Sequence, residues 1–156
     1  MIEVSNNGQI VKIKNSDNSI IELDTQKNTV TVEWFDVNFP GEYEKAGILT
    51  EVKEYEEKLF YSLVTEWKTI LIVLHDSFEM KEDIMTFFWD VDILLVIGTK
   101  NSPKIVENIE ARVVIPFWEG KEVFLNTLWQ HKEEIDTFKL KAELWAENTE
   151  YVNLKA

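Results

Sequence analysis

Three short apolar runs, separated by stretches long enough for a helix, constrain the fold of this chain more than any other feature. The first is in residues 69–76, which read Thr-Ile-Leu-Ile-Val-Leu-His-Asp. The second occupies residues 93–97 and stops at Gly98, and the third occupies residues 113–115 and stops at Pro116. Runs this short and this rich in β-branched residues are typical of strands buried on both faces. The order strand, helix, strand, helix, strand predicts a parallel sheet with right-handed crossovers.

The ends of these runs are where a ligand is expected, because parallel sheets bind ligands beyond the carboxyl ends of their strands. His75 and Asp76 follow the first run, Gly98, Thr99 and Lys100 follow the second, and Trp118 and Glu119 follow the third. The candidate ligand-binding residues are His75, Asp76, Trp118 and Glu119. We therefore predict a ligand-binding site made of these four residues, with no catalytic residue assigned. An isolated His-Asp pair is more often a hydrogen-bonded turn, and that interpretation stays open.

The first third of the chain has the pattern of an antiparallel meander. Alternating segments are separated by polar turn clusters, and residues 29–37 alternate over their whole length, which predicts one strand. Residues 42–52 predict another, with Ala46 and Gly47 as a bulge. Residues 53–57 form a charged turn before the next strand.

The second half changes to a helical pattern. Residues 78–88 and 119–132 have apolar residues at helical spacing, and Ser102-Pro103 is typical of a helix start. The tail alternates again over residues 138–154, including Ala142 and Leu144, and predicts one or two closing strands.

Composition limits the class of function. The 156 residues suit a single domain, residues 1–156. There is no cysteine, and we see neither a secretory signal nor an apolar run of the roughly 18 residues that a membrane span needs, so a cytoplasmic protein is expected. The net charge of -13 repels phosphate backbones and anionic lipid, which disfavours partners made of nucleic acid or membrane.

Six tryptophans are unusual for this length. Trp34 and Trp67 fall within predicted strands, where core or cross-strand contacts are expected. Trp118, Trp129 and Trp145 fall at the ends of elements, where exposure is expected. Exposed aromatic residues mark partner surfaces or sugar-stacking platforms, while partial burial over a small core is the plainer alternative.

The segment Phe39-Pro40-Gly41-Glu42-Tyr43-Glu44 resembles a turn in the short, lactonase-like branch of the metallo-β-lactamase-fold hydrolases. The blocks that follow match in order as far as Trp118: an apolar strand ending near an Asp, an acidic helix, and the runs at residues 90–95 and 111–116. The resemblance implies a mixed α/β fold, a β-sandwich flanked by helices and reduced in size. In that family, one or two zinc or iron ions activate a water molecule for hydrolysis.

The residues that the family uses for this chemistry are missing. Its His-x-His-x-Asp-His signature should precede the Pro-Gly-Glu-Tyr-Glu turn, but the two histidines of this chain are His75 and His131. Phe117 and Trp118 stand where the family's last histidine is expected. Asp76 alone matches the position of the bridging carboxylate. We therefore expect a degenerate domain with no metal, no cofactor and no catalysis, which acts through protein–protein contacts or self-association.

Two other functions stay open. One is a residual metal-dependent hydrolase that combines His75 and Asp76 with groups from a partner subunit. The other is a small-molecule or carbohydrate-binding module that uses the tryptophans.

Asp90 and Asp92 would suit acid/base work only if their carboxylates face each other, and a strand entrance explains them as well. The pair Glu42 and Glu44 and the lone His131 have the pattern of solvated surface residues.

Overall fold

The computed structural model describes residues 1–140 and 148–155. The strands are β1 (Ile2–Asn7), β2 (Ile10–Lys14), β3 (Ile20–Asp24), β4 (Thr29–Val32), β5 (Phe35–Asp36), β6 (Gly41–Lys45), β7 (Ile48–Tyr55), β8 (Lys58–Thr65), β9 (Lys68–Val73), β10 (Val91–Ile97), β11 (Ala111–Phe117), β12 (Glu134–Ile135), β13 (Thr137–Leu140), β14 (Glu150–Tyr151) and β15 (Asn153–Leu154). The helices are α1 (Glu82–Phe87), α2 (Pro103–Val106) and α3 (Lys121–Thr127).

Two sheets form a sandwich. The six-stranded sheet has the order β13-β1-β2-β3-β4-β5, and the seven-stranded sheet has the order β14-β11-β10-β9-β8-β7-β6. Strands β12 and β15 form a separate parallel pair. The three helices pack on the outer face of the seven-stranded sheet, so the molecule has a mixed α/β fold dominated by its sheets.

The parallel centre predicted from the three apolar runs is confirmed. Strand β10 pairs in parallel with β9 and β11, and Leu94 lies opposite Leu71 on one side and Val114 on the other. These three residues point into the core beneath the helices, whereas Ile70 and Ile72 point into the core between the sheets. Both faces of these strands are buried, which explains why their sequences are continuous apolar runs.

The parallel strands define two ends of the sandwich. We call the end where β9, β10 and β11 begin the amino-end edge, and the end where they finish the carboxyl-end edge. The β2–β3 turn of the six-stranded sheet lies at the amino-end edge, because the Asn15 side-chain amide donates to Thr65 Oγ1 at 3.1 Å. Glu33 N–H donates to the Ile20 carbonyl at 2.8 Å, which places the β4–β5 turn at the same edge.

Two of the predicted strands are instead hairpins. Residues 29–37 break into β4 and β5, because Glu33 and Trp34 both adopt positive φ and turn the chain. Ala46 and Gly47 also have positive φ, and they form a two-residue turn between β6 and β7 rather than a bulge. The charged turn predicted at residues 53–57 is shorter, since β7 continues to Tyr55.

The helices are shorter than predicted. Residues 78–81 stay outside α1, because the β7–β8 hairpin satisfies the backbone of Glu79: its carbonyl accepts from the Tyr55 hydroxyl and its N–H donates to Glu56 Oε2. Helix α2 starts at Pro103 as expected. Positive φ values at Trp118 and Trp129 accompany the chain reversals before and after α3. The closing strands β13, β14 and β15 are present, while Ala142 and Leu144 lie outside the described residues.

Within residues 1–140 and 148–155, no helix has the length and apolar character that a membrane span needs.

Candidate functional site

At the carboxyl-end edge, the Asp76 side chain is held by a hydrogen bond to the neighbouring strand end. It follows β9, and its Oδ2 accepts a hydrogen bond of 2.8 Å from the hydroxyl of Thr99, which follows the neighbouring strand β10. Parallel pairing of the two strands explains the contact, since it brings the residues after both strands to the same edge. Asp76 is the carboxylate that the resemblance matches to the bridging position, and one of its oxygens is therefore already hydrogen-bonded within the chain.

Thr99 lies at one of the three strand ends where a site is expected, but it is not among the four predicted ligand-binding residues. Its hydroxyl donates to Asp76 and accepts from the N–H groups of Asn101 at 3.2 Å and Ser102 at 3.1 Å. The fully buried Ser102 completes the turn, because its Oγ accepts from the N–H of Thr99 at 3.0 Å. The pattern Thr-x-x-Ser-Pro before a helix indicates such a turn, but not its contact with Asp76.

His75 faces an aromatic cluster rather than Asp76. Its ring lies edge-on to Phe60, with centroids 6.2 Å apart, and Phe60 also contacts Phe78 and Phe88. Burial lowers the pKa of His75 below its ordinary value of 6.5, and the nearby Lys58 lowers this pKa further, while Asp76 partly opposes them. The ring is thus favoured in its neutral form.

Trp118 and Glu119 lie in an exposed turn after β11. Two glycines hold this turn against β10: a Cβ on Gly120 would lie 2.0 Å from the Gly98 carbonyl oxygen, and a Cβ on Gly98 would lie 2.7 Å from Lys121 Cα. The Gly98 N–H also donates to the Phe117 carbonyl at 2.7 Å. The close backbone contact leaves no room for a side chain at either glycine.

A cavity of about 330 Å³ opens at the carboxyl-end edge. Asp76, Asn101, Lys104 and Asn108 supply its polar lining, and Phe78, Met80 and Ile105 its apolar lining. Of the four predicted ligand-binding residues, only Asp76 lines it. His75, Trp118 and Glu119 lie at the same edge of the fold but outside this cavity.

The side chains at this edge do not fit the metal centre that the resemblance implied. No group of three or more His, Asp or Glu side chains able to hold a metal ion occurs in residues 1–140 and 148–155. Asp76 Oδ2 accepts a hydrogen bond from the Thr99 hydroxyl, and the His75 ring packs against Phe60. A zinc site needs at least three protein ligands in a converging arrangement.

The other acidic candidates lie at the amino-end edge. Asp92 is buried and accepts from the Thr69 N–H at 2.8 Å and from Arg112 at 2.9 Å. Asp90 forms the second ion pair with Arg112, at 3.3 Å. Both carboxylates are thus joined through one guanidinium group. Glu42, Glu44 and His131 are exposed, as their patterns predicted.

The tryptophans differ most from expectation. Every tryptophan in the described part of the chain is between 48% and 97% exposed: Trp34, Trp67, Trp89, Trp118 and Trp129. The prediction of core or cross-strand contacts for Trp34 and Trp67 is wrong, because each is the second residue of a tight turn with positive φ. Trp118 and Trp129 are exposed at element ends as predicted, and Trp145 lies outside the described residues.

No family model matches this sequence, and no curated protein matches it. The structure, however, is similar to that of a protein from Thermotoga maritima assigned as a Zn-dependent hydrolase of the metallo-β-lactamase superfamily. The similarity covers 100% of each chain, with a TM-score of 0.72 and 13% sequence identity. The shared architecture agrees with the order of strands and helices from which the resemblance was inferred. This chain therefore has the metallo-β-lactamase fold.

Proposed function

We propose that this chain is a non-catalytic domain of metallo-β-lactamase fold that acts through contacts with other proteins or with further copies of itself. The observation that carries the proposal is the exposure of every described tryptophan. Tryptophan is among the residues most enriched where proteins bind one another, and exposed rings on this scale are unfavourable unless a partner covers them.

The side chains at the carboxyl-end edge support the non-catalytic half of the proposal. Hydrolysis in this fold depends on a metal-bound water, and Asp76 is the one matched ligand position, with an oxygen that Thr99 already engages. The partner is expected to be neither nucleic acid nor anionic membrane, because the net charge is -13.

The catalytic half is tested by metal loading and turnover. Purified protein is dialysed without chelator, its zinc, iron and manganese content is measured, and it is then assayed with each ion on phosphodiester, lactone and β-lactam substrates. We expect far less than one ion per chain, and turnover no higher than that of the Asp76→Ala variant. Stoichiometric metal together with turnover that Asp76→Ala abolishes would overturn the proposal.

The contact half is tested by sedimentation velocity over concentrations from about 1 to 100 µM, the range in which micromolar association becomes visible. A mass that rises with concentration identifies a further copy as the partner, and a constant monomer mass points to a different protein. Chemical cross-linking in cell extract then provides the second test. If the mass stays that of a monomer and no exposed tryptophan segment is cross-linked to another protein, the result counts against protein contacts.

The cavity beside Asp76 favours a second candidate function, the binding of a small polar molecule. Carboxylate, amine and amide side chains line the cavity together with apolar ones, which is the usual composition of a ligand pocket. A metabolite panel measured by thermal shift tests this function. A ligand of this cavity should raise the unfolding temperature of the native chain but not that of the Lys104→Met variant.

A further inference from the structure

The amino-end edge carries three of the exposed tryptophans, at the end of the fold opposite the predicted site. Trp34 lies in the β4–β5 turn, Trp67 lies in the β8–β9 turn, and Trp89 lies just before β10. Their exposed fractions are 75%, 97% and 80%. Trp67 and Trp89 precede adjacent strands, and neighbouring strands are about 4.8 Å apart, so one extended segment can contact both.

Two cavities open at this edge, and each contains one of the tryptophans. The first, of about 500 Å³, is lined by Trp67 together with Met1, Ile2 and Leu140, and is mainly apolar. The second, of about 890 Å³, is lined by Trp89 and has a more polar wall. Both are larger than the cavity beside Asp76.

The Trp89 cavity is negatively charged. Its walls include Asp90, Glu107, Glu110 and Arg112. Arg112 is neutralised by its ion pairs with Asp90 and Asp92. Neither Glu107 nor Glu110 forms an ion pair within residues 1–140 and 148–155, so the cavity that the Trp89 ring lines also carries two carboxylates without a partner in that part of the chain.

This combination selects one kind of occupant. A guanidinium group stacks on an indole face and forms hydrogen bonds with carboxylates, and it is more weakly hydrated than a lysine ammonium. A second copy of this acidic chain, a nucleic acid or an anionic lipid surface would bring negative charge to an acidic edge. The apolar cavity beside Trp67 suits an aliphatic side chain of the same segment.

We propose that the amino-end edge binds an arginine-rich extended segment of another protein, with an arginine in the Trp89 cavity and an aliphatic residue in the Trp67 cavity. The inference rests on the proposed function in that it names the class of partner and the surface that binds it. It goes beyond that function in placing the contact at the edge opposite Asp76, the one residue that the resemblance matches to a metal ligand.

The experiment uses a fluorescein-labelled peptide, Leu-Arg-Ser-Arg-Leu-Arg-Ser-Arg, and fluorescence anisotropy with the full chain. Trp67→Asn and Trp89→Asn remove one ring each without changing the charge, and asparagine tolerates the positive φ of position 67. Trp129→Asn is the matched control, because Trp129 is 85% exposed and, like Trp67, has positive φ. Circular dichroism checks that all three variants fold.

We expect Trp67→Asn and Trp89→Asn to weaken binding by about tenfold each, the size of a lost cation–π or hot-spot contact, while Trp129→Asn changes it by less than about twofold. Glu107→Gln combined with Glu110→Gln should weaken binding more than Glu122→Gln combined with Glu133→Gln, which makes the same charge change outside both cavities. The same peptide with lysine in place of arginine should bind more weakly.

Three results would overturn the proposal: no binding of the arginine peptide, equal loss in the Trp129→Asn control, or equal affinity for the lysine peptide. The last would mean that long-range attraction alone holds the peptide. Failure of this proposal can be distinguished from failure of the proposed function. Metal-dependent turnover would refute the non-catalytic domain and leave this binding measurement valid, whereas a peptide that fails to bind leaves contacts at other surfaces open.

Discussion

At the scale of single residues, His75 lies at the end of a buried strand, as predicted, and its ring faces an aromatic cluster. The ring packs on Phe60, and its pKa is lowered by burial and by Lys58. The neutral ring is favoured in the folded chain. It therefore contributes stability that is present above about pH 6.5, the ordinary pKa, and is lost as the pH falls below it.

We expect the NMR titration of His75 to have its midpoint below 6.5. Lys58→Gln should raise the midpoint because it removes a positive neighbour, and Asp76→Asn should lower it because it removes a negative one. The chain has a second histidine, His131, so each signal can be assigned by a single substitution. A His75 midpoint above 6.5, a midpoint that falls in Lys58→Gln, or one that rises in Asp76→Asn would contradict the described environment.

Tyr61 gives a second prediction at this scale. Burial, with a smaller contribution from Asp36, raises the pKa of Tyr61 to about 12, and its hydroxyl donates to Asn38 Oδ1 at 2.6 Å. The unfolded chain releases this proton near pH 10, so the stabilisation is complete below about pH 10 and is lost as the pH rises towards 12.

Tyr61→Phe should lower the free energy of unfolding by about 1 kcal/mol at neutral pH, since it leaves Asn38 Oδ1 without this donor. It should also flatten the loss of stability at alkaline pH. Tyr43→Phe is the control, because it also removes a phenol hydrogen bond, to the Phe39 carbonyl at 2.7 Å. Urea unfolding between pH 8 and pH 11 measures both effects, and equal alkaline slopes for the native chain and Tyr61→Phe would contradict the prediction.

At the scale of elements, the contact between Gly98 and Gly120 fixes the connection from β11 to α3. The backbones of the two residues meet so closely that a Cβ at position 120 would overlap the Gly98 carbonyl oxygen. The turn that carries Trp118 and Glu119 therefore depends on glycine at both positions.

Gly120→Ala should destabilise the chain by more than about 2 kcal/mol, because backbone atoms must move to admit the methyl group. Gly47→Ala serves for comparison: Gly47 has φ of +76° and nothing within 4 Å of the added Cβ. That substitution should cost only about 1 kcal/mol, for the positive φ alone. Chemical denaturation measures both, and an equal cost would mean that the turn can shift freely.

At the scale of the whole molecule, 29 acidic residues against 16 basic ones produce self-repulsion. Salt screens repulsion between exposed charges, and the Debye length falls from about 30 Å at 0.01 M to about 8 Å at 0.15 M. We therefore expect the midpoint of urea unfolding to rise as potassium chloride increases over this range. A midpoint that falls would mean that attractive ion pairs outweigh the net repulsion.

The sequence predicts those parts of the fold in which one local pattern determines the structure. Strands β9, β10 and β11 were predicted because runs such as Ile70 to Leu74 need burial on both faces. The turns at Trp34 and Trp67 were missed because two-residue hairpin turns usually take Asn-Gly or Asp-Gly, whereas these use Glu-Trp. The contact between Asp76 and Thr99 was missed because it joins residues 23 positions apart in the chain.

The position of β1 has a consequence for synthesis of the chain. Strand β1 lies between β2 and β13, so one side of β1, which is made before β2, is completed only by residues 137–140. During translation, that side of β1 keeps unpaired N–H and C=O groups until most of the protein has been made. Open strand edges promote aggregation, and nascent chains add only about 5–20 residues each second. Slow translation or premature termination before residue 137 would therefore leave a nascent chain that is prone to associate with its neighbours.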